Sequence, residues 1–199
     1  KTAEPDEPVA PSPDRKTQEL LADFLPSSQD DLRIAAVLPE QSGDIADRIK
    51  AFFTPRLRES INKDIDLVET DHFLIWTDLP RAMRAPLASA AEDMYAALCR
   101  QFGYDAAGNI FLGKCPVFCL RSRGEFFRFA RSFDDYRESA AIGYTRSVQE
   151  RGYVHVVLFY QGRSPQEWQR FVGTLVHEGS HAFLHRFRIS GLKRVAVDL

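Results

Sequence analysis

Long apolar runs, an excess of one charge and abundant cysteine are all missing from this sequence. No uninterrupted apolar run approaches the roughly 20 residues that a membrane-spanning helix needs, so we predict no transmembrane segment. Charge of neither sign is in excess, since 26 basic residues stand against 28 acidic ones. The sequence therefore gives no reason to expect nucleic acid as a partner, and none is predicted.

The three cysteines form no evident disulfide or metal-binding set. Cys115 and Cys119 fall in one apolar run that is typical of a strand. Four residues along a strand span about 13 Å, which is too far for a disulfide. Their spacing also matches no standard zinc knuckle. We therefore predict that both, like Cys99, are buried free thiols.

The first 16 residues have the composition of a flexible linker. Five of the eleven prolines lie within the first 26 residues, among Glu, Asp, Ala and Ser. We predict a Pro-rich, flexible and solvated tail that joins no core. Such a tail often follows an export signal or a lipid anchor, although a cytosolic linker has the same composition. The expected location is extracytoplasmic, in the periplasm or the cell envelope.

The remainder has the composition of a packed globular body, with 44% apolar and 12% aromatic residues. Periodicity predicts helices over residues 17–25, 42–53, 81–102 and 124–133. Pro55 is expected to interrupt the second helix, and residues 56–61 are a candidate continuation beyond it. Apolar runs predict strands over residues 64–69, 73–76, 116–120 and 153–160. Residues 140–147 are ambiguous.

This order of elements predicts an α+β fold with a small mixed sheet and helices on one side of it. Residues 153–160 are apolar on both faces, so we expect this strand to be covered on both faces. We divide the chain into the tail, a helical N-terminal region over residues 17–63 and a domain over residues 64–199.

The last helix is the element with the clearest sequence signals. Ser164 is a good N-cap, Pro165 suits the first helical position, and Glu167 completes a capping box with Ser164. A step of about 100° per residue then places eight residues in one arc that we predict to be buried. These are Trp168, Phe171, Val172, Leu175, Val176, Gly179, Ala182 and Phe183. His177 and His181 fall on the opposite side.

The sequence His177-Glu178-Gly179-Ser180-His181 has the spacing of a zinc site on a helix. Residues four apart lie one turn apart on the same face, so two imidazoles can converge on one metal ion. We predict His177 and His181 as zinc ligands. Glu178 lies beside the first ligand, where its carboxylate can accept a proton from a water and pass it to a leaving amine. Two surface histidines on a solvated face are the alternative interpretation.

The motif and its surroundings resemble the gluzincins, and among them the peptidase MA-like group of zinc metallopeptidases. The resemblance covers about residues 65–190. It includes a strand like residues 72–78, a long helix ending near Phe102-Gly103, a strand like residues 115–120, an aromatic helix, a Gly143-Tyr144 segment, an apolar strand and the motif helix. It implies a zinc cofactor, a thermolysin-like active-site subdomain with the motif on a C-terminal helix, and residues 153–160 as the strand lining the substrate cleft.

The third zinc ligand of the gluzincins, a glutamate from a following helix, has no counterpart here. No Glu follows His181, and Asp198, the only carboxylate there, is a poor match. His185, one turn beyond His181, is either a ligand in an unusual site or a neighbouring residue. Catalytic zinc sites normally have three protein ligands. We therefore expect either a fragment whose third ligand lies beyond Leu199 or a degenerate member without catalysis.

Three functions are compatible with these observations. The first is a zinc-dependent peptidase or amide hydrolase with Glu178 as general base and a peptide or protein as substrate. The second is a catalytically inactive metallopeptidase-like domain that serves as a structural or assembly subunit and binds a protein partner. The third is a metal-dependent hydrolase that does not cleave peptides.

Several other polar residues have simpler interpretations. We predict His155, within the apolar strand, as a structural histidine whose hydrogen bonds are satisfied. Tyr144 and Tyr160 can in principle stabilise an oxyanion, but packing is the better interpretation. His72 is predicted at the surface. The basic residues after the motif helix, beginning with Arg186, are predicted to interact favourably with the C-terminal end of that helix.

Overall fold

A computed structural model describes residues 39–137, 141–148 and 153–191 of the chain. The predictions of a tail over residues 1–16 and a helix over residues 17–25 lie outside these ranges, as does Asp198. The described residues form four helices: α1 Pro39–Ser60, α2 Arg81–Phe102, α3 Arg123–Phe133 and α4 Pro165–Gly191. None of these helices has both the length and the apolar character needed to cross a membrane.

Five strands form one mixed sheet, which confirms the predicted α+β class. They are β1 Asp66–Glu69, β2 Phe73–Thr77, β3 Cys115–Leu120, β4 Gly143–Val148 and β5 Tyr153–Phe159. The strand order is β1-β2-β3-β5-β4. The three central strands run parallel to one another, and both outer strands pair antiparallel to their neighbours. The ambiguous segment is therefore β4, an outer strand.

Helices cover both faces of this sheet, so the prediction of helices on one side was wrong. Side chains of α1 and α3 form one core with the face that carries Trp76, Phe118 and Val157. Side chains of α2 and α4 form a second core with the opposite face, which carries Ile75 and Val156. The physical reason lies in β2, β3 and β5, which are apolar on both faces and need cover on both. The expectation that β5 is covered on both faces is confirmed.

Helix α1 continues through Pro55, although the sequence predicted an interruption there. A proline inside a helix removes one backbone hydrogen bond and crowds the preceding turn. Apolar side chains on both sides of Pro55 compensate for this cost, because Phe53 and Leu57 are both buried in the core beneath the sheet. Packing in the core therefore stabilises the helix in spite of Pro55.

Two further predictions about side chains were settled by burial. Cys99, Cys115 and Cys119 are buried free thiols, as predicted, and burial raises the pKa of each thiol. Arg186, predicted among the basic residues after the motif helix, instead lies within α4 and is buried, and its Nε donates to the main-chain oxygen of Ile110 at 3.0 Å. Burial lowers the pKa of Arg186 to about 10.

Candidate functional site

Helix α4 begins with the predicted capping box. The Glu167 main-chain N–H donates to the Ser164 hydroxyl at 3.2 Å, and the Ser164 N–H donates back to the Glu167 carboxylate at 2.9 Å. These bonds satisfy donors that the first turn of a helix otherwise leaves unpaired. They fix where the helix starts and therefore which side chains farther along face the sheet.

The predicted buried face of α4 is confirmed at its centre and wrong at one edge. Phe171, Leu175, Ala182 and Phe183 are buried in the core shared with α2. Val176 is instead 41% exposed. It lies about 80° round the helix from Trp168, at the limit of the predicted arc, so its side chain points past the sheet toward solvent.

His177 and His181 lie on the exposed side of α4, as predicted. Their Nε2 atoms are 3.3 Å apart. Two nitrogens each bound about 2.0–2.1 Å from one zinc ion and separated by that distance subtend about 104–111° at the metal, close to a tetrahedral angle. The donor atoms thus fit zinc. The same separation also suits a hydrogen bond from one ring to the other.

Glu178 is half-buried between α4 and the outer strand β4. The Thr145 hydroxyl lies 2.8 Å from the Glu178 carboxylate oxygen Oε2 and 2.7 Å from the Glu178 main-chain oxygen. Strand β4 approaches so closely because residue 143 is glycine. A β-carbon there would lie 2.6 Å from a Leu158 methyl carbon, 3.0 Å from Thr174 and 3.3 Å from the Glu178 Cγ.

A cavity of about 610 Å³ opens beside the motif and includes the Glu178 and His181 side chains. Its other lining residues are Tyr136, Gly143, Tyr144, Thr145, Ser147, Leu184 and His185. The strand that lines it is therefore β4, whereas the resemblance implied residues 153–160. The reason is topological, because β5 lies one position inside the sheet and β4 separates it from this edge.

A larger cavity, of about 1250 Å³, lies at the other end of α4. It is bounded by residues that follow the carboxyl ends of β2 and β3, including Asp78 and Arg121, and by the first turn of α4. Burial and then the neighbouring Glu125 carboxylate raise the pKa of Asp78. This cavity includes none of His177, Glu178 and His181, so the smaller cavity is the candidate site.

A third metal ligand is not found in the part of the chain that the structure describes. No group of three His, Cys, Asp or Glu side chains there is arranged to hold a metal ion. His185 is half-buried and lines the same cavity as His181, yet it does not complete such a group. Asp198 lies outside the described residues, so its predicted poor match stays a prediction.

His155 is a structural histidine, as predicted. It is 1% exposed, and its Nε2 lies 2.8 Å from Asp134 Oδ2 while its Nδ1 lies 3.1 Å from the Tyr153 hydroxyl. The Tyr144 hydroxyl donates to the same Asp134 oxygen at 2.6 Å. Burial and the Asp134 carboxylate raise the pKa of Tyr144. Its hydroxyl is therefore committed to this cluster rather than directed to a substrate.

The two remaining candidates also have structural roles. Tyr160 is buried and packs against Trp168 and Phe171 at the start of α4, as predicted. His72 was predicted at the surface, but only 13% of its side chain is exposed. Its ring stacks on Tyr95 with centroids 3.8 Å apart, and its Nδ1 lies 2.6 Å from Glu92 Oε2.

Comparison with family models, with curated proteins and with solved structures finds no match for this chain in any of the three. Inference about function therefore rests on the geometry of the site itself.

Proposed function

We propose that this chain is a zinc-dependent peptidase or amide hydrolase, or the part of one that carries the motif. The observation that supports it best is the approach of the His177 and His181 Nε2 atoms to 3.3 Å, with the carboxylate of Glu178 in the adjacent cavity. Two surface histidines require no such convergence, and they require no carboxylate beside them in a cavity.

His177 and His181 would hold the zinc ion, which in such sites polarises a scissile carbonyl and lowers the pKa of a water molecule. The role of Glu178 follows from its position. Its carboxylate accepts a proton from the attacking water and then delivers that proton to the leaving amine nitrogen. The cavity wall formed by β4 confines the carboxylate on one side, so that it faces the space beside His181.

The outer strand β4 supports a peptide as the substrate. On one side it pairs with β5, and it is the last strand of the sheet among the described residues. An outer strand presents main-chain donors and acceptors that an extended peptide can pair with. Such a peptide would lie along the cavity that contains Glu178. A motif helix beneath an antiparallel outer strand also supports the thermolysin-like arrangement that we infer from the resemblance.

Two exposed apolar side chains lie next to the site. Ile142, immediately before β4, is 59% exposed, and Leu184, which lines the cavity, is 40% exposed. Val176, 41% exposed, lies about 160° round α4 from Glu178 and therefore faces away from the cavity. Exposed apolar area of this kind favours binding of a ligand or partner. We infer that the bound peptide carries apolar side chains near the cleaved bond.

The alternative function, a catalytically inactive subunit, is favoured by one observation. The described residues supply two histidine ligands and no third, whereas catalytic zinc sites normally have three protein ligands. In this alternative the apolar residues around the site bind a protein partner.

We also propose a location outside the cytoplasm, in the periplasm or the cell envelope. The Pro-rich composition of residues 1–16 supports it.

Zinc content and peptide hydrolysis, measured together, test the proposal. We expect the chain to bind zinc and to cleave members of a quenched fluorescent peptide library. Glu178→Gln should lower kcat about 10²- to 10⁴-fold, the usual contribution of a general base, with zinc content unchanged. Glu167→Gln is the matched control on the same helix and should retain activity.

Two results would overturn the proposal. If Glu178→Gln hydrolyses peptides as fast as the wild-type chain, Glu178 is not the base. If neither this chain nor the full-length gene product takes up zinc or cleaves peptide, the inactive alternative replaces the enzyme.

A further inference from the structure

We propose that Thr145 is a positioning residue that holds the Glu178 carboxylate in its working orientation. This inference rests on the proposed function of Glu178 as general base. It is carried by the Thr145 hydroxyl, which lies 2.8 Å from Oε2 and 2.7 Å from the main-chain oxygen of Glu178. Both distances are usual for an O–H···O hydrogen bond, and the single hydroxyl hydrogen donates to one of the two oxygens at a time.

The register of β4 explains why Thr145 faces the motif helix. Thr145 pairs with Val156 of β5, and Val156 belongs to the core on the face covered by α2 and α4. Successive side chains of a strand point to opposite faces. Tyr144 accordingly belongs to the core on the other face. The orientation of Thr145 is thus fixed by the pairing of the whole strand.

The close approach of β4 to α4 depends on the absence of a side chain at position 143. Gly143 lies two residues before Thr145 on the same face, and a β-carbon there would come within 3.3 Å of the Glu178 Cγ. The strand can therefore approach the helix closely enough for the Thr145 side chain, which is short, to reach the carboxylate. Gly143 thus permits the close approach of β4 to α4, and Thr145 uses that approach to bond to the Glu178 carboxylate.

The Thr145 hydroxyl can serve Glu178 on both sides of a proton transfer. While the carboxylate is ionised, the hydroxyl donates its single hydrogen to Oε2. The other carboxylate oxygen, Oε1, is then left to accept the proton from water and to pass it to the leaving amine. The bond from the Thr145 hydroxyl to Oε2 is possible whether or not Oε1 carries that proton, because Oε2 remains an acceptor. Glu178 keeps a hydrogen-bond partner in either state without moving.

Replacing Thr145 by valine and by serine distinguishes the contribution of its hydroxyl from that of its methyl group. Thr145→Val keeps the β-branched shape that a strand favours and removes the hydroxyl. A hydrogen bond to a charged group of this kind corresponds to about 10- to 100-fold in rate, and we expect kcat to fall by that factor. KM for the library peptide should stay within about twofold, because Thr145 acts on Glu178 and not on bound substrate. Thr145→Ser should retain kcat within about threefold.

Two results would overturn the inference while leaving the proposed function intact. In the first, Glu178→Gln is inactive but Thr145→Val cleaves peptide as fast as the wild-type chain. In the second, Thr145→Ser loses as much kcat as Thr145→Val, which would assign the effect to packing of the methyl group. The Glu178→Gln/Thr145→Val double variant should be no slower than Glu178→Gln alone.

A different result identifies failure of the proposed function itself. If the zinc-loaded wild-type chain cleaves no peptide, Glu178 is not a general base, and the positioning role of Thr145 is overturned with it. Zinc content of Thr145→Val should equal that of the wild-type chain, since the Thr145 hydroxyl bonds to Glu178 and not to His177 or His181.

Discussion

His155 and the pair His177–His181 lie on opposite sides of the same sheet and in opposite settings. His155 is 1% exposed, and both of its ring nitrogens have protein partners, Asp134 and Tyr153. The motif histidines are exposed, and the Nε2 of each has the other as its neighbour. A buried polar group must be hydrogen-bonded within the protein to repay its desolvation. An exposed pair is under no such demand and remains available to a ligand.

The environment of a histidine is therefore a better guide to its function than the residue type alone. Asp134 bonds to both Tyr144 and His155, and His155 also contacts Tyr153, in a cluster whose four members are all buried. Such a cluster contributes to stability and specificity of packing. The motif face of α4 contributes little to the core, so its side chains can be exchanged at small structural cost. Variants of the motif histidines should therefore lose zinc affinity, whereas variants of the buried cluster should lose folding stability.

The largest expected effect is on zinc affinity. His177→Ala or His181→Ala removes a direct ligand, and loss of a residue that only supports a ligand already costs about 10- to 100-fold in metal affinity. We expect at least about a 100-fold loss of zinc affinity by calorimetric titration. The free energy of unfolding without metal should change by no more than about 0.5 kcal/mol, because both side chains are exposed.

The reverse pattern is expected for the buried cluster. Asp134→Ala leaves the Tyr144 hydroxyl and His155 Nε2 without their acceptor, at a cost of about 2–4 kcal/mol in the free energy of unfolding. Zinc affinity should equal that of the wild-type chain, measured below the unfolding transition. Weaker zinc binding in the folded Asp134→Ala variant would show that the two clusters are not independent.

The next effect concerns the contact between β4 and α4. Gly143→Ala puts a β-carbon 2.6 Å from a Leu158 methyl carbon, so either β4 or its neighbours must move. Overpacking of this kind costs about 1–3 kcal/mol, and activity should fall because Thr145 moves with the strand. Urea unfolding and peptide hydrolysis measure the two effects.

Gly173→Ala on α4 is the matched control for Gly143→Ala. A β-carbon at Gly173 has nothing within 4 Å, and alanine in a helix interior is more stable than glycine by about 0.5–1 kcal/mol. The control should therefore be more stable than the wild-type chain and equally active. If Gly143→Ala behaves like Gly173→Ala, the close approach of β4 has no role.

The comparison also shows which features the sequence alone predicts. Local signals sufficed for α2, α4 and the strongest strands, because Ser164 and Glu167 form a capping box and the apolar residues of β5 continue without interruption. They sufficed for the two motif histidines, whose spacing sets their common face. They failed for Pro55, where contacts made by Phe53 and Leu57 with distant residues hold the helix together.

The residues that complete the site were harder to identify from sequence. Gly143 and Thr145 lie in a segment whose pattern suits no single element, since polar Thr145, Arg146 and Ser147 interrupt it. Their role arises from pairing with β5 and from packing on α4, and both are contacts between residues far apart in sequence. A signal available in the sequence was the even spacing of apolar Tyr144 and Val148, which a strand places on one face, with Thr145 then on the other.

The smallest expected effect is on folding stability and concerns Glu167, in the first turn of α4. Hydrogen bonds from the Arg163 N–H and from Ser164 hold the pKa of Glu167 below its ordinary value of 4.5. An acid whose pKa is lowered on folding stabilises the protein above its unfolded pKa, and this stabilisation is lost as pH falls through the lower folded value. The wild-type chain should therefore be slightly more stable than Glu167→Gln near neutral pH, and the difference should vanish in acid. Because Glu167 is exposed, urea unfolding at several pH values should show a shift smaller than that of Gly143→Ala. A difference that instead grows as pH falls would mean that the ionised form of Glu167 does not contribute to the cap.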